Sequence, residues 1–105
     1  MNPQFKKGFL EMFILKTIQN DEPIYGYDIM KKISEIFDDV DKATVYAVLR
    51  RLHNAKILDV EFLKSTEGPP RKYYKLTEEG QKTLAENIEH LKKIIEISQK
   101  LGIEY

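Results

Sequence analysis

No cysteine occurs among the 105 residues, which excludes a disulfide framework and any thiolate metal site. Tryptophan is missing too, and histidine occurs only as His53 and His90, neither in an H-E-x-x-H pattern. Metal chemistry therefore has few ligands, and no metal or other cofactor is expected. No apolar run approaches the roughly 20 residues of a membrane-spanning helix. Lys6 and Lys7 precede an apolar run from Phe9 to Leu15, but Glu11 interrupts it and no small-residue cleavage site follows, so it does not read as a secretory leader. The expectation is a cytoplasmic protein with no membrane partner. There is no glycine-rich phosphate loop, no plausible Ser-His-Asp grouping and no pair of carboxylates facing a predicted cleft, which argues against an enzyme. A net charge of zero, from 17 cations and 17 acids, is also far from the strongly basic balance typical of nucleic-acid binders.

The distribution of charge is more informative than its total. Residues 42–76 hold Lys42, Arg50, Arg51, Lys56, Lys64, Arg71, Lys72 and Lys75 against Asp59, Glu61 and Glu67, a local excess of five positive charges. A chain this short makes one domain and buries only about two-thirds of its unfolded surface, so a partner subunit is a plausible source of stability. No repeat, low-complexity tract or linker divides it.

Phe9, Leu10, Phe13, Ile14 and Ile18 recur three to four apart, which predicts a first helix over about 4–18. Asn20, Asp21, Glu22 and Pro23 end it. A second helix is expected from about Tyr25 to Phe37, with Ile29, Ile33 and either Ile36 or Phe37 inward. Gly26, in its first turn, would let another backbone come close, and Tyr25 and Tyr27 flank it. Packing with a satisfied phenol tip and contact with DNA or a ligand are both open for these tyrosines.

After the acidic link Asp38-Asp39-Val40, Asp41 is suited to cap a third helix at Ala43 or Thr44. Val45, Val48, Leu49 and Leu52 form its apolar stripe; Lys42, Ala43, Thr44, Ala47, Arg50, Arg51 and Asn54 fall largely opposite. Two helices joined by a short link, the second presenting small, hydroxylic and cationic groups, meet the requirements of a major-groove reader. Thr44 suits a base or phosphate, and Arg50 a phosphate or guanine. The acids at 38, 39 and 41 are the main objection, since they would sit near phosphates.

Residues 57–63 alternate as a strand, and Lys64 to Pro70 form a loop. In 71–76, Lys72, Tyr74 and Leu76 share one face and Arg71, Tyr73 and Lys75 the other. The pair reads as a cationic hairpin arm, with Tyr74 inward and Tyr73 outward. Thr77-Glu78-Glu79 then resembles a capped helix start. Leu84, Ile88, Leu91 and Ile95 follow at spacings of four and three, widened by Ile94, Ile97 and Leu101, more apolar surface than so small a domain can cover. The fold class is mainly α with a small antiparallel β wing: a winged helix-turn-helix over 1–76 and a long C-terminal dimerisation helix over 77–105.

Four blocks, Gly8 to Leu15, Tyr25 to Ile29, Ala43 to Leu52 and Gly68 to Gly80, resemble in order and spacing a PadR-type transcriptional regulator of the short form. The resemblance implies a homodimeric repressor that binds an inverted-repeat promoter operator in double-stranded DNA and releases it when a small hydrophobic or aromatic effector binds. DNA-binding positions are then expected at Lys42, Ala43, Thr44, Tyr46, Ala47, Arg50, Arg51, Lys64, Arg71, Lys72 and Tyr73. Phe9, Leu84, Ile88, Leu91, Ile94, Ile95 and Leu101 are expected at the dimer interface, with Phe5, Phe9, Phe13, Ile88, His90 and Leu91 around an apolar effector cavity. Two departures stand out. Ala43 and Lys56 occupy positions where the family often has glycine, and the last helix carries His90 near the place where aromatic-binding members tend to have tryptophan. A protein-interaction module of the same fold that never touches DNA is the alternative reading, favoured by zero net charge and the acidic link.

Overall fold

A computed structural model describes residues 3–103, with side chains from Gly8 onward. Helix α1 (Pro3–Asp21) buries Leu10, Met12, Ile14, Leu15 and Ile18. This arc is wider than one stripe because α1 is packed from several directions, by the second and fourth helices and by the sheet. Phe13, expected inward, is instead partly exposed, stacked on Phe9 with ring centroids 6.2 Å apart and tilted against Phe37 at 5.8 Å.

Strand β1 (Ile24–Tyr25) precedes helix α2 (Gly26–Ile36), which buries Ile29 and Ile33. Phe37 is the inward member of the pair that ends α2, and Ile36 stays 65% exposed. Helix α3 (Lys42–Asn54) buries Val45, Leu49 and Leu52. Strands β2 (Leu58–Leu63) and β3 (Arg71–Leu76) form an antiparallel hairpin with Leu58 opposite Leu76, Val60 opposite Tyr74 and Phe62 opposite Lys72. The sheet has the order β1-β3-β2, because β1 pairs with the other edge of β3, Ile24 opposite Tyr74. Two positions before that short strand, Glu22 extends the ladder with its side chain: its carboxylate accepts the Leu76 N–H at 2.8 Å.

Helix α4 (Glu78–Lys100) is capped by the Thr77 hydroxyl, which accepts the Gly80 N–H at 2.9 Å. Its first turns belong to the same core as the other helices, with Leu84 1% exposed and Ile88 and Leu91 packed against the core. Beyond Leu91 most of its residues are exposed, and the subunit measures 54 Å in its longest dimension against 21 Å in its shortest.

Two helices end in the same way. At the end of α4 the Gly102 N–H donates to the Gln99 carbonyl and the Ile103 N–H to the Ser98 carbonyl, with Gly102 at φ 82. At the end of α3 the Lys56 N–H donates to the His53 carbonyl and the Ile57 N–H to the Leu52 carbonyl, with Lys56 at φ 62. Both are Schellman caps, which need a left-handed residue just past the helix. Glycine adopts that conformation without penalty, whereas a lysine Cβ is crowded there. Lys56→Gly is therefore expected to stabilise the subunit by about 1 kcal/mol, checked by urea denaturation; a loss of stability would show that the Lys56 charge at the helix end outweighs its strain.

Candidate nucleic-acid interface

Asp41 starts α3: its carboxylate accepts the Thr44 N–H at 2.8 Å and the Thr44 hydroxyl at 2.7 Å. The capping fixes the first turn of α3 and directs the Asp41 charge at backbone donors rather than at solvent, which removes part of the objection raised by the acidic link. It also limits Thr44. With its hydroxyl proton engaged, Thr44 has only lone pairs to offer, which suit an adenine or cytosine amino group and do not suit a phosphate. Lys42, Ala43, Thr44 and Ala47 are all exposed along this end of α3.

Arg50 lies further along α3 and borders a recess of about 250 Å³ that it shares with Lys72, Tyr25, Gly26, Tyr27, Tyr46 and Tyr74. Four separate elements, β1, α2, α3 and β3, meet here, and Gly26 is the reason they can. A Cβ on it would stand 3.2 Å from the Tyr74 ring and 3.7 Å from that of Tyr46. The Lys72 ammonium sits 5.5 Å from the centre of the Tyr74 ring, a distance at which the ring face attracts a cation. Burial pushes the Tyr46 phenol above its ordinary value, with smaller contributions from Tyr25, Tyr74 and Tyr27. Tyr46 therefore keeps its proton at neutral pH and remains a hydrogen-bond donor in a recess walled by two cations. A basic, phenol-lined concavity beside an exposed helix face is chemically matched to a phosphate diester.

Arg71 and Tyr73 lie on the opposite face of the hairpin from Lys72. Tyr73 is half-buried against Tyr25, ring centroids 5.7 Å apart, and the Arg71 guanidinium stacks 4.8 Å from the centre of the Tyr25 ring. Tyr25 thus braces the outer face of the hairpin while bordering the recess on its inner side. Lys64 is exposed at the start of the loop between β2 and β3.

The structure separates several residues that the sequence grouped. Arg51 pairs with Glu11 of α1 at 3.1 Å; one residue on a helix is a turn of about 100°, which carries it away from the Arg50 recess. Leu84, expected at a dimer interface, is consumed by the core of its own subunit and has no surface left to offer. Between α1 and α4 a groove of about 260 Å³ is lined by Phe9, His90 and Leu91 together with Gly8, Met12, Asn87 and Ile94. Of the other residues expected around an effector, Phe13 stacks behind Phe9 without lining this groove, Ile88 packs against the core without lining it, and Phe5 lies outside the described side chains. The feature that sequence reasoning missed is β1. Two residues are too few for strand periodicity, and only the Ile24-Tyr25-Gly26 succession hints at an edge pairing before a helix. Among the described residues, no cluster of His, Asp and Glu is arranged to hold a metal ion, and no helix is long and apolar enough to cross a membrane.

Helices α2 and α3 joined by a short link, followed by the β2–β3 hairpin, define a winged helix-turn-helix. The model of the PadR-like family of transcriptional regulators matches residues 14–86. A PadR-like regulator from Bacillus cereus is 30% identical and superposes with a TM-score of 0.84, over 97% of this chain and 99% of that one. A PadR-like transcription factor from Bacteroides fragilis is 40% identical with a TM-score of 0.78, over 93% of this chain and 94% of that one. An uncharacterised protein of Lysinibacillus sphaericus is 31% identical over 94 residues, 87% of this chain and 85% of its own length. The chain belongs to the PadR-like family of transcriptional regulators.

Proposed function

We propose that the protein is a cytoplasmic homodimer that binds an inverted-repeat operator in double-stranded DNA and acts as a repressor released by a small hydrophobic or aromatic effector. In this reading residues 1–76 meet DNA and residues 77–105 pair the subunits. The observation that carries it is the convergence of Arg50 from α3 and Lys72 from the wing on one phenol-lined recess, next to the exposed first turns of α3. Phosphates attract such a pair whatever the sequence, while Ala43, Thr44 and Ala47 are small enough to let α3 approach base edges.

Pairing is supported by the free half of α4. Ile94 is 52% exposed, Ile95 39%, Ile97 45% and Leu101 74%, an apolar stripe left largely open to solvent. The groove between α1 and α4 borders that stripe at Ile94, so a second subunit would roof it and form an effector cavity with Phe9, His90 and Leu91 in its wall.

Selection of bound duplexes from a random pool tests this reading. The recovered motif is expected to be an inverted repeat with half-site centres about 10 base pairs, or a small multiple of a turn, apart. Failure to enrich any duplex would favour the protein-interaction alternative.

A further inference from the structure

We propose that Phe62 is an apolar wedge by which the wing enters the minor groove of the bound duplex and sets its sequence preference there. The inference rests on the DNA-binding reading above. Phe62 is 67% exposed near the tip of β2, directly opposite Lys72, and Leu63 follows it opposite Arg71. Strand alternation puts Phe62 on the same face as Leu58, Val60, Tyr74 and Leu76, the face that packs on the helices. Burial fades along that face: Leu58 is fully buried, Val60 half-buried and Phe62 open. Phe62 therefore stands where the hydrophobic core has ended, on the side of the hairpin that carries Lys72 to the Arg50 recess.

A phenyl ring left in water on a two-stranded arm adds little to the subunit's own stability, so its use lies elsewhere. The charges around it indicate where. Lys72 is its cross-strand partner and Lys64 follows two residues on, whereas Asp59 and Glu61 project from the other face, opposite Lys75 and Tyr73. An apolar centre with cations at its edge complements the minor groove, whose sugar walls are apolar and whose rims are phosphates. Phenylalanine is among the side chains that wedge into base steps from that groove.

The test compares wild type, Phe62→Ala and Phe62→Leu on the duplex that the wild type enriches from a random pool, by fluorescence anisotropy across a salt series. Phe62→Ala is expected to weaken binding about tenfold, leaving the salt slope and the Tm unchanged because neither a phosphate contact nor a core contact is lost. Phe62→Leu is expected to restore most of the affinity. Repeating the selection with Phe62→Ala is expected to relax preference at base pairs under the wing and to leave those under α3 intact. Equal affinity and an identical motif for Phe62→Ala would overturn the wedge while the DNA-binding reading stands, and would leave the ring free for a protein partner. A flattened salt slope would assign the loss to a displaced Lys72 and also overturn it. No binding by the wild type to any duplex would remove both readings together.

Discussion

Gly80→Ala is expected to destabilise the subunit severely for a change of one methyl group. The first turn of α4 lies against the chain leaving α3, and an ideal Cβ on Gly80 would stand 2.1 Å from the Ile57 carbonyl oxygen and 3.2 Å from its carbon. That oxygen cannot retreat, because it already accepts the Thr77 N–H at 3.1 Å and the Thr77 hydroxyl at 3.1 Å. The same hydroxyl caps α4, and its single proton is shared between the Ile57 carbonyl and the nearer Lys56 carbonyl at 2.7 Å. One methyl group therefore forces apart the junction that joins α3, the wing and α4, where overpacking of the backbone exceeds the ordinary cost of an added methylene. A loss of about 3 kcal/mol is expected, equivalent to a fall in Tm of more than about 10 °C for a domain of this size. Calorimetry checks it at a fixed subunit concentration, since dimerisation would couple Tm to concentration. A Tm within a degree or two of wild type would show that α4 can shift on the core.

The second large effect concerns the pairing of subunits. Ile97→Glu combined with Leu101→Glu places two charges on the free stripe of α4, at positions 45% and 74% exposed in the subunit. Both side chains lie outside the core, so helicity and the subunit fold are expected to persist. Sedimentation is expected to show a monomer. If two subunits hold one operator, loss of pairing converts a bivalent attachment into a single weak one, and affinity is expected to fall by about 10²–10⁴-fold. A dimer that survives both charges would move the interface elsewhere on the molecule.

The parts that sequence reading recovers are those with local causes. The α3 cap works because Asp41 is three residues from Thr44, and the division of Tyr74 from Tyr73 follows from strand alternation alone. The left-handed turn at Lys56 is not legible in the same way, because lysine carries no local signal for a positive φ. What local pattern does not carry are contacts between distant segments. Arg51 looks equivalent to Arg50 until α1 supplies Glu11, and Phe13 fits an inward stripe until Phe37 offers it a ring. Leu84 fits a helix-pairing seam, but its turn of α4 is already spent on the subunit's own core. Strand β1 has no periodicity to detect and exists only because β3 offers an unpaired edge. The Arg50 recess combines both cases: its cations are visible in the sequence, while the approach of Tyr74 and Tyr46 to Gly26 is a product of packing.

The central claim is that Arg50 and Lys72 meet phosphates of one duplex. Its most direct test is the salt dependence of affinity, measured by anisotropy for wild type, Arg50→Ala and Lys72→Ala on the selected duplex. Both side chains are exposed and neither joins the core, so each variant is expected to stay folded, bind more weakly and reduce the slope of log affinity against log salt by about one. Wild-type binding that is undetectable at low salt, or slopes that both substitutions leave untouched, would contradict the account.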